Sequence, residues 1–111
     1  MGKEYNWHAL PALVLAEKEI LVEDVAGKKI CITRYNGQLY AFAYKCPHAG
    51  APMNEGYVDA QGQVICPLHK YKFNIRNGYN SSGEGYCLKT YPVEEREGIL
   101  HVGFDKSWMS L

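Results

Sequence analysis

From residue 19 to residue 104 the apolar positions fall in short runs that mostly alternate with polar ones and stop at turn residues. Segments 19–23, 29–35 and 38–44 each read as a strand. Asn36-Gly37 joins the last two, and both residues tolerate the positive φ that a tight type I′ hairpin requires. Within 29–35, Ile30 and Ile32 share one face while Cys31 and Thr33 share the other. Further on, 57–59 and 63–65 flank a Gln61-Gly62 turn, and 71–75 alternates up to Asn77-Gly78. Segments 87–91 and 99–104 then read as strands around a charged turn at 94–98. No useful window sustains a 3.6-residue period, so the expected fold class is all-β. The first and last stretches pair into a base, and the middle stretch, about 45–80, forms a separate tip.

Composition narrows this picture. The 111 residues suit one domain, 1–111, with one modest core. Nine tyrosines, with frequent Gly and Pro, favour strands and turns over helices. Basic and acidic residues number 12 each, so there is no broad positive field for nucleic acid. The longest apolar run, 9–16, is interrupted by Pro11 and is far too short to cross a bilayer. The first residues lack the charged-then-apolar pattern of a signal peptide. The expected setting is therefore cytoplasmic, with no membrane partner. In that reducing compartment, four cysteines with histidines close to some of them point to a metal rather than to disulfides.

One constellation stands out. Cys46 and His48 are two apart, Cys66 and His69 are three apart, and 17 residues separate the two pairs. The chain thus offers two short clips, each with one sulfur and one nitrogen. Assembling four ligands from two clips costs less entropy than collecting them singly. Pro47 and Pro67 directly follow the cysteines and stiffen both loops, and Pro52 stiffens the end of the first. Gly50 permits a close turn that could bring an amide N–H toward a sulfur.

Two Cys and two His can hold a tetrahedral zinc ion. Zinc motifs, however, usually pair Cys with Cys and His with His along the chain, whereas each clip here is mixed. A 2Fe–2S cluster has two irons, so both cysteines can take one iron and both histidines the other. The run Cys46-Pro47-His48-Ala49-Gly50, followed by Cys66-Pro67-Leu68-His69, resembles the motif of the Rieske-type 2Fe–2S ferredoxin family. Residues 71–78 resemble the strand and turn after the second clip in Rieske ferredoxins and in the Rieske domains of ring-hydroxylating oxygenases. Tyr91-Pro92-Val93 and 98–102 are similar to that family's closing hairpin. The resemblance covers about residues 7–104. It implies a two-sheet antiparallel base, a sandwich or partial barrel, with a small cluster-binding subdomain. It also implies one 2Fe–2S cluster on Cys46, His48, Cys66 and His69.

Departures from the family pattern bear on the potential. Rieske proteins of respiratory cytochrome complexes join their cluster loops through two further cysteines, where this chain has Ala51 and Leu68. Those proteins also place Ser and Tyr hydroxyls near the cluster sulfurs. Tyr71 and Phe73 stand at the corresponding positions here, and Phe73 cannot donate. Fewer hydrogen bonds to sulfur make reduction harder, so the expected potential is nearer to about −150 mV than to the top of the Rieske range. With two ferric ions, two sulfides, two thiolates and two neutral imidazoles, the oxidised site sums to zero charge. Four thiolates would leave it at −2. The added electron therefore meets less repulsion and settles on the histidine-bound iron. Histidines near the surface would shorten its exit and let the potential vary with pH.

The remaining candidates read as structural. Cys31 and Cys87 have no ligand partner nearby and are expected in the core. His8 and His101 lie outside the clips. Lys70, Lys72 and Arg76 read as a solvated face, with a docking rim for an acidic partner as the functional alternative. Tyr44 and Tyr71 could line the cluster or pack in the core. No residue suggests a catalytic acid, base or nucleophile, so no activity is expected from the chain alone. The expected role is a monomeric electron carrier between a flavin- or NAD(P)H-dependent reductase and a terminal oxygenase. The alternatives are the small subunit of a nitrite-reductase-like oxidoreductase, whose family shares the fold, and a zinc-stabilised interaction module.

Overall fold

The computed structural model describes residues 4–105, apart from 69, 82 and 84. Ten strands and one turn of 3₁₀ helix follow in order: β1 (Tyr5–Ala9), β2 (Ile20–Val25), β3 (Lys28–Tyr35), β4 (Gln38–Ala43), the 3₁₀ turn (Met53–Glu55), β5 (Tyr57–Val58), β6 (Gln63–Ile65), β7 (Lys72–Asn74), β8 (Thr90–Tyr91), β9 (Val93–Arg96) and β10 (Ile99–Asp105). They form three antiparallel sheets with orders β1-β10-β9, β2-β3-β4-β8 and β5-β6-β7. The all-β expectation holds.

The middle sheet is covered on both faces, and β3 shows why. Ile30 and Ile32 point into one core with Leu10, Val25, Ala41, Tyr91, Val102 and Phe104, which joins this sheet to β1-β10-β9. Cys31 and Tyr35 point the other way, into a second core with Phe42, Met53, Val64, Phe73, Ile75 and Leu88. Strand periodicity sends alternate residues to opposite faces, so one central strand serves two cores. The tip is therefore not a detached appendage. Its sheet, β5-β6-β7, packs on the outer face of the middle sheet. The buried Thr33 hydroxyl is satisfied by the carbonyl of Glu19 at 2.7 Å. The hydroxyl of Tyr35 donates to the Ala60 carbonyl at 2.7 Å, pinning the β5–β6 turn to the base.

Asn36 and Gly37 have φ of 51° and 78°, as the hairpin between β3 and β4 requires. Three elements differ from the sequence reading. Tyr5–Ala9, not singled out in the sequence reading, forms a strand that alternates Tyr-Asn-Trp-His-Ala and pairs along its whole length with β10. The charged turn shrinks to Glu97-Gly98, and Val93–Arg96 becomes a strand. That strand lies at a sheet edge, where charged side chains reach water and discourage further pairing. Arg96 bonds Glu94 at 3.1 Å and lies 4.7 Å from the Trp7 ring centroid. Finally, the strand at 87–91 reduces to Thr90–Tyr91, and Cys87 makes only an isolated bridge with Tyr79. Cys87 is exposed, contrary to the core role expected of it, whereas Cys31 is fully buried. No helix among the described residues is long and apolar enough to cross a membrane.

Candidate metal centre

Both clips turn out to be hairpin loops of the same construction. After the Lys45–Pro52 bridge, the N–H of Cys46 donates to the Ala51 carbonyl at 2.8 Å, closing a four-residue loop at 47–50. After the Ile65–Lys72 pair of β6 and β7, the N–H of Cys66 donates to the Tyr71 carbonyl at 2.8 Å, closing a four-residue loop at 67–70. In each loop the last residue is left-handed: Gly50 with φ 75° and Lys70 with φ 59°. A cysteine thus opens each loop at a fixed, hydrogen-bonded position. The Gly50 amide itself donates to the Cys46 carbonyl at 2.8 Å.

Cys46 and Cys66 are both buried, and both are free thiols. Burial pushes the pKa of the Cys66 thiol above its ordinary value. The N–H of Leu68, bonded to that sulfur, works in the opposite direction, and the neighbouring Cys46 sulfur raises the pKa further. Two adjacent buried thiols are what a cation between them would deprotonate and stabilise. The donor set therefore fits an iron held by both cysteines.

His48 sits in a loop whose neighbours Pro47, Ala49 and Gly50 are exposed, yet it is itself half-buried with its Nδ1 inside. Its ring centroid lies 4.2 Å from that of Tyr71. Tyr71 thus packs both on His48 and against the second core, so neither alternative open in the sequence excludes the other. Tyr44 instead supports the first loop from behind: its carbonyl accepts from the Met53 N–H at 2.7 Å, and Lys29 Nζ lies 5.1 Å from its ring centroid. Among the described residues no three His, Cys, Asp or Glu side chains converge on one point. A site with two irons places its sulfur and nitrogen ligands on separate metals, so three-fold convergence is not required of it. His69, the remaining residue of the expected set, lies outside the described residues.

Phe73 is fully buried in the core beneath the loops and offers no donor. Ala51 is half-buried and Leu68 exposed, so neither loop carries a linking thiol. Arg76 lies 5.9 Å from the centroids of both Tyr35 and Tyr40 and serves the base, while Lys70 and Lys72 are exposed. His8 packs on Phe104, and His101 Nδ1 lies 3.0 Å from the Ile99 carbonyl, both structural as expected. Sequence reasoning passed over Tyr86, whose ring touches those of His48 and Tyr71; a lone aromatic between Gly85 and Cys87 gave no periodic signal.

Residues 7–92 match the Rieske 2Fe-2S domain family. The chain is 31% identical over 101 residues to the 3-phenylpropionate/cinnamic acid dioxygenase ferredoxin subunit of Shigella flexneri serotype 5b, covering 86% of this chain and 90% of the relative. Among solved structures it is similar to the ferredoxin of carbazole 1,9a-dioxygenase from Nocardioides aromaticivorans IC177. That match has a TM-score of 0.71 and 26% identity, and covers 79% of this chain and 86% of the other. A chain assigned as the small subunit of an NADH-dependent nitrite reductase from Mycobacterium tuberculosis superposes with a TM-score of 0.78 at 22% identity, covering 91% and 96%, and shows the shared fold. The family match decides between zinc and iron–sulfur in favour of one Rieske-type 2Fe–2S cluster. With its paired hairpin loops and adjacent buried thiols, the chain belongs to the Rieske 2Fe-2S domain family.

Proposed function

We propose that this chain carries single electrons from a flavin- or NAD(P)H-dependent reductase to a terminal oxygenase, with its cluster held by Cys46 and Cys66 on one iron and by His48 and His69 on the other. The bound cluster supplies reversible one-electron chemistry. The protein's own residues do the rest. The closed loops fix both cysteines, the shared core under Phe73 and Met53 gives them a rigid floor, and Tyr71 holds the His48 ring. The observation that carries this reading is the pair of matched hairpin loops that bring two buried thiols together beside a half-buried imidazole. The similarity to a dioxygenase ferredoxin subunit over most of both chains supports the choice of partners.

The chain acts as one unit, 1–111, with its cluster-binding tip at about 45–80. It works in the cytoplasm as a monomer, since a carrier must expose its tip and dissociate quickly. The absence of any hydroxyl at Phe73 supports a potential in the lower part of the Rieske range.

The test is anaerobic mixing with the reductase and oxygenase of a 3-phenylpropionate dioxygenase system. Bleaching of the visible absorption by reductase and NADH, and its return on adding oxidised oxygenase, is expected. Reduction without transfer to the oxygenase would refute the role. Cys46→Ser, His48→Ala, Cys66→Ser and His69→Ala should each abolish the native cluster, and any that keeps it removes that residue from the ligand set. The nitrite-reductase alternative has the shared fold on its side, and co-purification with a sirohaem-containing large subunit would favour it.

A further inference from the structure

Three rings meet at the exposed end of the tip. The centroid of His48 lies 4.2 Å from that of Tyr71, at 40°, and 5.2 Å from that of Tyr86, at 63°. Tyr71 and Tyr86 are themselves 5.8 Å apart and stacked at 27°. Tyr71 closes the second loop through its own carbonyl. Tyr86 comes from a third segment, between β7 and β8, which belongs to neither clip.

That segment is not loosely placed. Cys87 bridges Tyr79, and the Leu88 N–H donates to the Gly78 carbonyl at 2.8 Å. Gly78 is pressed so closely on this segment that an added Cβ would sit 1.8 Å from the Leu88 carbonyl oxygen. Leu88, two residues beyond Tyr86, is 1% exposed. Tyr86 itself is 39% exposed, so its ring forms an outer wall rather than part of the core. Both rings lie against His48, whose sequence neighbours 47, 49 and 50 are all exposed.

We propose that Tyr86 is a positioning residue of the electron-transfer site: stacked beside Tyr71, it packs against the His48 imidazole, fixes its tilt and keeps water from the side of the ring it covers. The proposal rests on His48 being a cluster ligand. The consequence follows from charge. The oxidised site is neutral and the reduced site carries one negative charge. Water stabilises the more charged form, so a dry imidazole face favours the oxidised state and lowers the potential. The ring provides the cover; the hydroxyl is not needed.

The experiment compares the cluster-loaded wild type with Tyr86→Ala and Tyr86→Phe, by potentiometric titration and by the EPR spectrum of the reduced protein. Tyr86→Ala should raise the midpoint potential beyond the scatter of the titration and broaden the EPR line, as the imidazole loses its fixed tilt. Tyr86→Phe should restore wild-type values for both. Should Tyr86→Ala assemble no cluster, Tyr86→Leu serves in its place, with the same expected direction. An unchanged midpoint and line in the truncated variant would overturn the proposal. So would a Tyr86→Phe variant shifted as far as the truncation, since the hydroxyl would then be responsible. His48→Ala separates the two levels. If it keeps the native EPR signal, the ligand assignment fails; if it loses the signal while the Tyr86 variants match wild type, only the role of Tyr86 fails.

Discussion

Gly56 closes the 3₁₀ turn beside the second loop, with φ −86° and ψ −152°, a conformation open to any residue. Glycine is required there for space alone. An added Cβ would lie 1.8 Å from the Ile65 carbonyl oxygen and 3.0 Å from its carbonyl carbon. Restoring ordinary contact needs a displacement of about 1.5 Å. Neither side yields easily. The Gly56 N–H is bonded to the Met53 carbonyl at 3.1 Å, and Ile65 is held between Tyr57 and Lys72 in the tip sheet. Overpacking costs about 1–3 kcal/mol, and forfeiting one ladder hydrogen bond adds about 1, so Gly56→Ala should lose about 2–4 kcal/mol. That is a large share of the roughly 5–15 kcal/mol of a typical domain. Because Ile65 directly precedes Cys66, the same displacement moves a proposed ligand, and iron per chain should fall with stability. Gly50→Ala is the control. A Cβ there meets open space, but φ is +75°, so only the left-handed strain of about 1–2 kcal/mol applies. Urea midpoints and iron and sulfide content of the two variants, purified side by side, provide the comparison. A Gly56→Ala protein with wild-type midpoint and full iron would refute the steric reasoning.

Lys70 occupies in the second loop the left-handed position that Gly50 occupies in the first; Lys70→Gly should raise stability by about 0.5–1 kcal/mol in urea unfolding, left-handed strain relieved less the added chain entropy, and a lower midpoint would count against the equivalence of the loops. Burial pushes the Cys31 thiol from 9.0 up to about 12, though a backbone bond from Asn54 opposes this. The folded state therefore favours the neutral thiol, and its contribution is complete below pH 9 and lost as pH rises toward 12, by at most roughly 4 kcal/mol. Tyr91, pushed by burial from 10.0 to about 12, adds to the loss only above pH 10. Cys31→Ala should thus flatten the decline in urea midpoint between pH 9 and 10, and an unchanged slope there would contradict the assignment. Tyr35→Phe removes the hydroxyl that donates to the Ala60 carbonyl; a loss of about 0.5–1.5 kcal/mol is expected, the net worth of one hydrogen bond whose acceptor, on exposed Ala60, turns to water, and wild-type stability would show that the contact does not tie tip to base.

The hairpins read well from sequence because their signals are local. Asn36-Gly37 announces its own turn, and alternation on either side fixes the strands. The two clips proposed to hold the cluster stand out for the same reason: Cys, Pro and His at fixed short spacing need no tertiary information. What the sequence concealed depended on distant partners. Residues 5–9 are too short a run to stand out alone, and their partner β10 lies about 90 residues away in sequence. Val93–Arg96 looks like a charged loop until its place at a sheet edge is known. Cys31 and Cys87 were indistinguishable as lone cysteines in strand-like runs, but one lies in the doubly covered central strand and the other beside an isolated bridge. Both loops closing on the cysteine N–H with a left-handed residue in the fourth loop position was also invisible, since Gly50 suggests such a turn and Lys70 does not. Tyr86 reaches His48 through the packing of Gly78 against Leu88, a contact between residues ten apart that no periodicity reports.

The most direct test of the central claim is an EPR spectrum of the anaerobically purified, dithionite-reduced protein. A rhombic signal with the low average g of mixed cysteine and histidine ligation is expected, and it should disappear in His48→Ala and His69→Ala. A colourless protein that contains zinc, and neither iron nor sulfide after reconstitution, would contradict the account.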